Sequence, residues 1–125
     1  MAKTVDANVQ DAALNDIKNN ANKLVVLSAQ ATTYTEANAT FMLANTALVS
    51  GDFTLAAGDV SGRKVTVGAK SGISVSNSGT ATHIGVIDTT NSRVKAQTTC
   101  TSQAINTGGT VDVPSYKVLE VQNPT

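Results

Sequence analysis

Hydrophobic and polar positions follow two different periods along this chain. Val9, Ala13, Leu14 and Ile17 recur at helical spacing, with Asn8, Asp11, Asn15 and Lys18 on the opposite face. Asp6 stands where an N-cap is needed. The run Asn19-Asn20-Ala21-Asn22 follows, and asparagine tolerates the left-handed conformation that ends helices. The spacing predicts one short amphipathic helix over residues 6–19. Its apolar stripe is too narrow to hold an isolated helix, so it must lie on a sheet or on a neighbouring subunit.

After residue 22 the period shortens. Lys23-Leu24-Val25-Val26-Leu27-Ser28 is a continuous apolar run of strand length and reads as a buried strand. Residues 29–40 are loop-like, with one helical turn expected at Thr35-Glu36-Ala37-Asn38. A weak strand is predicted over residues 44–49, before the turn Ser50-Gly51-Asp52. Phe53 and Leu55, two apart, suit an edge strand or an extended arm.

Beyond the turn Gly58-Asp59-Val60-Ser61-Gly62, residues 63–69 alternate, with Val65, Val67 and Ala69 on one face. Ser71-Gly72 reads as a break, after which Ile73 and Val75 resume. Asn77-Ser78-Gly79 turns the chain into a strand over residues 81–88. Thr89-Thr90-Asn91-Ser92 has the length of a hairpin connection. Residues 93–101 then alternate, with Val94, Ala96, Thr98 and Cys100 expected inward and Arg93, Lys95, Gln97 and Thr99 outward. Asn106-Thr107-Gly108-Gly109 leads to a strand over 110–113, Pro114 interrupts, and residues 116–121 close the chain. Seven or eight short strands with no helices between them predict a mainly β fold: an antiparallel β-sandwich or barrel with a short N-terminal α-helix. At 125 residues, with no fixed-period repeat, the chain is read as one β-rich domain, residues 1–125. Within it, residues 1–22 form a helix or arm and residues 23–125 the β body.

Composition changes the picture at the surface. Nine basic and nine acidic residues cancel, and charged residues make up only 14% of the chain, so solubility rests on 18 Thr, 10 Ser and 11 Asn. A nearly uncharged free monomer is prone to associate, which points to a surface covered in the working state and to a homo-oligomer. The apolar residues are mostly Ala and Val, so the core is expected to be thin. A nucleic-acid partner would call for a basic stripe interleaved with aromatics; the cations are scattered and Tyr34, Phe41, Phe53 and Tyr116 do not interleave with them. No apolar leader segment opens the chain and no apolar run is long enough to span a bilayer, so no membrane partner is expected.

Candidate chemistry is sparse. Cys100 is alone, which excludes an intrachain disulfide and favours a small buried hydrophobe over a nucleophile. His83 is the single histidine and has no metal-ligand spacing around it; alternation turns it away from Ile84 and Val86. Asp52 and Asp59 lie in turn clusters, where carboxylates accept backbone hydrogen bonds. The stretch from Gly58 to Lys64 superficially resembles a phosphate loop, but Arg63 separates Gly62 from Lys64 and a strand follows instead of a helix. The residues therefore predict no enzyme, no cofactor and no metal. A carbohydrate- or receptor-binding module is a third reading, which ranks behind because a sugar platform needs exposed aromatics, and the chain has no Trp, while Phe53 and Tyr116 sit in apolar strands where burial is expected.

The runs Gly58-Asp59-Val60-Ser61-Gly62-Arg63-Lys64-Val65-Thr66-Val67, Ser78-Gly79-Thr80-Ala81-Thr82-His83-Ile84-Gly85-Val86-Ile87-Asp88 and Thr98-Thr99-Cys100-Thr101-Ser102-Gln103-Ala104-Ile105, in that order, resemble small structural proteins of tailed bacteriophages. The resemblance extends over nearly the whole chain. It implies a virion structural protein made in the host cytoplasm, and by analogy a capsid decoration (cement) protein on the capsid surface whose partner is the major capsid protein or another virion protein. A place at the neck, tail or fibre base is the alternative it implies. The segments least committed to the strand pattern, the helix and residues 32–53, are expected to reach that partner. Val9, Leu14, Ile17, Tyr34, Phe41 and Phe53 are the candidate contact residues.

Overall fold

A computed structural model describes residues 5–123. It contains helix α1 (Ala7–Asn20) and, in chain order, strands β1 (Lys23–Leu27), β2 (Met42–Ala47), β3 (Phe53–Ala57), β4 (Arg63–Val67), β5 (Lys70–Ser74), β6 (Gly79–Asp88), β7 (Arg93–Ile105), β8 (Thr110–Val113) and β9 (Tyr116–Val121). A π-helical turn, Glu36–Thr40, precedes β2, and a 3-10 turn, Ser50–Asp52, precedes β3. The strands pair antiparallel in three sheets, ordered β2-β1-β6-β7, β3-β4-β9 and β5-β8. The architecture is thus mainly β and sandwich-like with one N-terminal helix. One main core, including Leu24, Val26, Val65, Val67 and Val86, draws on both larger sheets.

Helix α1 belongs to that core. Asp6 caps it as its sequence position predicts, its carboxylate accepting from Asn8 N at 2.7 Å. The buried stripe is Gln10, Leu14 and Ile17, not the stripe containing Val9 and Ala13, which face solvent. Gln10 is buried as a polar residue because its amide donates to Asn123 Oδ1 at 3.2 Å, holding the chain end against the helix. The asparagines do not end the helix by a left-handed turn: Asn19 and Asn20 are helical and the chain leaves through Ala21 in extended conformation. Ala21 is buried, and Asn22 is already tied to the first sheet through Ile87 O (2.9 Å) and Thr89 Oγ1 (2.9 Å), so the exit must be extended to feed β1.

The apolar run of β1 is buried on both faces. Leu24 and Val26 enter the main core, whereas Val25 and Leu27 join Ala31, Ala37 and Ile87 in a second cluster roofed by Tyr34, Phe41 and Met42. Tyr34 and Phe41 belong to the stretch between β1 and β2 and Met42 opens β2, so that stretch forms a cover rather than a free loop.

Bulges account for the other departures from simple alternation. Val86 pairs with Ala96 but Ile87 pairs with Val94, leaving Lys95 as the extra residue. One extra residue exchanges the faces, so Val94 packs in the second cluster while Ala96 packs against the main core. The single inward row of Val94, Ala96, Thr98 and Cys100 does not exist; Thr98 is exposed and Cys100 half-buried. Ser71-Gly72 is likewise no break. β5 runs through it, with Gly72 at φ +65° where the β5–β8 register shifts and its amide donating to Asp112 at 2.8 Å. β4 ends at Val67, and Ala69, expected inward, is exposed.

Candidate binding surface

β7, with 13 residues, is the longest strand among the described residues, and it lies at the margin of its sheet with β6 as its only ladder partner there. Among the described residues no backbone hydrogen bond beyond the β6 ladder involves Arg93–Ile105. The ladder is bulged twice, at Lys95 and at 100–102, which stand opposite the single residue Thr82, so the outer row of N–H and C=O groups keeps a regular repeat over Ala96–Thr99. Such an edge is a template for another strand. From residue 98 to residue 104 the side chains are Thr98, Thr99, Cys100, Thr101, Ser102, Gln103 and Ala104, with no charge and no proline to oppose pairing.

The first residues of β7 border a groove of about 600 Å³, whose other wall is the stretch 31–34 of the cover. Gln97 sets its width. Its amide donates to Ala31 O at 2.6 Å and its carbonyl accepts from Ala31 N at 3.0 Å, mimicking a backbone pair. Glu36 shapes the far wall by accepting from Thr32 N and Oγ1, both at 2.8 Å, and those hydrogen bonds hold its carboxyl below the ordinary range. Lys95 also lines the groove, with its ammonium held 3.0 Å from Asp16 Oδ2 on α1. That contact is the main cause of the lowered Asp16 pKa. Arg93 is exposed and takes part in none of the ion pairs among the described residues.

A smaller cavity, about 190 Å³, opens where Cys100, Thr101 and Gln103 face the Val111–Pro114 end of β8 over Ala81 and Ile84. Burial pushes the Cys100 thiol up, so it stays protonated there. His83 Nδ1 lies 2.8 Å from Thr82 Oγ1. No group of three or more His, Cys, Asp and Glu residues that could hold a metal occurs among the described residues. No helix among them is long and apolar enough to cross a membrane.

The loop that resembles a phosphate cradle is filled from within. Glu120 on β9 accepts from Asp59 N at 2.7 Å and Val60 N at 3.2 Å, and from Lys117 and Gln122 at 3.1 and 2.8 Å. The Asp59 amide is the first cause that brings its pKa down to about 2, with Lys117, Gln122 and the Val60 amide adding to it. Asp52 accepts a backbone bond from Val49 N (2.8 Å), as its turn position predicts. Asp59 differs: its carboxylate meets the ammonium groups of Lys64 and Lys117 at 2.6 and 3.1 Å instead of backbone amides.

The six candidate contact residues do not form one surface. Leu14, Ile17 and Phe53 are enclosed in the main core at 0, 4 and 2% exposure, so in the folded chain they present nothing to a partner. Tyr34 and Phe41 come together over the second cluster, and Tyr34 also lines the groove. Val9 stands alone on the helix at 62% exposure. Sequence reasoning missed Arg93, Gln97 and the open edge. The available signal was the uninterrupted run from Arg93 to Ile105, which contains no Gly or Pro.

No protein-family model matches this chain, and no curated protein or solved structure does.

Proposed function

We propose that this chain is a non-enzymatic structural protein of a tailed-phage virion that decorates the capsid and stabilises the lattice of the major capsid protein. The observation that carries the reading is the marginal position of β7, whose outer side no other described strand pairs, with a regular stretch at Ala96–Thr99. A strand that leaves its outer backbone groups unpaired and its far half uncharged is suited to lie against another protein. The nearly neutral, Thr/Ser/Asn-rich composition supports the same conclusion, because such a surface needs little desolvation of charge when covered. The resemblance of the three runs quoted above to phage structural proteins supplies the setting.

The test is co-sedimentation of the purified chain with assembled capsid lattices and with unassembled major capsid protein. Saturable binding to the lattice, with weaker binding to the free subunit, is expected. Equal binding to both, or to neither, overturns the reading. Quantitative mass spectrometry of particles checks position: a copy number that scales with the lattice is expected, whereas a single ring of copies moves the protein to the neck, tail or fibre base.

A further inference from the structure

The groove at the start of β7 is lined by hydroxyls and by the cationic side chains Arg93 and Lys95, the latter engaged by Asp16. Arg93 brings an exposed guanidinium with no ion-pair partner among the described residues. Thr33 Oγ1 accepts from Glu36 N at 3.2 Å, which leaves its own proton to donate outward. Ser92 and Tyr34 add two further hydroxyls to the lining, and none of the lining side chains is a carboxylate. The acids closest along the chain and ladder are already engaged. Glu36 is held by Thr32, and Asp88, the ladder partner of Arg93, is buried and accepts from Thr90 N, Asn91 N and Asn91 Nδ2.

We propose that this groove and the adjoining edge of β7 take an extended acidic segment of the partner protein, its backbone pairing with β7 and an Asp or Glu side chain meeting Arg93. This rests on the reading of the chain as an attachment protein and adds the chemistry of what it attaches to. A carboxylate is an acceptor only and pairs with guanidinium through two parallel bonds, which matches the donor set. The edge over Ala96–Thr99, where the register is regular, decides between a peptide and other anions: its alternating N–H and C=O groups are matched by a strand, and neither a phosphate nor a sugar offers both in that repeat. Zero net charge also denies a nucleic acid the basic field it would need. Past Gln97 the edge is uncharged, so selection among partner segments falls at the Arg93 end.

The experiment is an amide NMR titration of the full chain with a short synthetic peptide of alternating Thr and Asp. Its Thr/Lys counterpart and a sulfated oligosaccharide serve as competing probes. The Thr/Asp peptide is expected to give saturable shifts confined to residues 31–34 and β7. Arg93→Glu should weaken it at least about tenfold and admit the Thr/Lys peptide. Arg93 is exposed and in no ion pair among the described residues, so the variant should keep the native amide spectrum; Arg93→Gln gives the charge-loss comparison if it does not. Absence of saturable shifts, shifts elsewhere, or equal affinity in the Arg93 variants overturns the proposal. Preference for the oligosaccharide, or the same shifts from concentration-dependent self-association, overturns it in favour of a glycan or a second copy. Capsid co-sedimentation separates the two readings. Peptide binding without lattice binding removes the capsid role and leaves the groove, whereas lattice binding unchanged by Arg93→Glu removes the groove and leaves the capsid role.

Discussion

Glu120 organises a turn some sixty positions earlier in the chain by accepting the amides of Asp59 and Val60. Its folded pKa of about 2 lies below the ordinary 4.5, so the carboxylate form is favoured by folding. The resulting stability is fully present above about pH 4.5 and is lost as pH falls through 2. Urea unfolding midpoints measured across that window should fall with pH in the native protein, and Glu120→Gln should flatten that part of the decline. Gln97 plays the matching role at the groove. Gln97→Ala leaves the buried Ala31 amide and carbonyl without partners and is expected to cost about 1–3 kcal/mol. Hydrogen exchange at residues 29–34 should accelerate with little change in β4 or β9. That regional readout distinguishes a loosened cover from general destabilisation.

At the scale of elements, α1 is core rather than arm. Leu14 and Ile17 are enclosed between the helix and the strands, and Arg63 Nε meets Asp11 Oδ1 at 2.8 Å from β4. Leu14→Ala is expected to cost about 2–5 kcal/mol in chemical unfolding, whereas Val9→Ala on the exposed face should stay within about 0.5 kcal/mol. Deleting residues 2–19 should therefore abolish the cooperative unfolding transition instead of leaving a folded β body. Circular dichroism through a urea series checks this directly. A truncated chain that unfolds as sharply as the intact one would show that the strands hold the core alone.

At the scale of the molecule, the two larger sheets share one core, so unfolding is expected to be a single transition, with probes of α1 and of β6 coinciding. Within that unit protection should be graded. β1 is flanked by strands on both edges and by apolar clusters on both faces, so its amides should exchange slowest by hydrogen–deuterium exchange. The outward amides of β7 should exchange early despite its length, because nothing among the described residues pairs them. A slow outer edge in the free protein would mean that self-association covers it.

The sequence alone determined the kinds of element and most of their places. Asp6 before a helical stripe, the apolar run at residues 24–27, the Thr89–Ser92 turn and the Pro114 interruption each act through local chemistry, and each stands where its chemistry predicts. The face a residue presents is not local. A single extra residue at Lys95 exchanged the sides of Val94 and Ala96, Gly72 carried a strand through an apparent break, and Gln10 displaced Val9 from the helix stripe because Asn123 and Gly62 lie beside it. Of the six contact residues chosen from sequence, tertiary structure enclosed three, because an apolar side chain reads alike whether its cover comes from the same chain or another. The surface proposed for binding was hidden for the same reason. Whether a strand's outer hydrogen bonds are made depends on which strand lies beside it, and only the folded sheet left β7 at the edge, with Arg93 in no ion pair among the described residues.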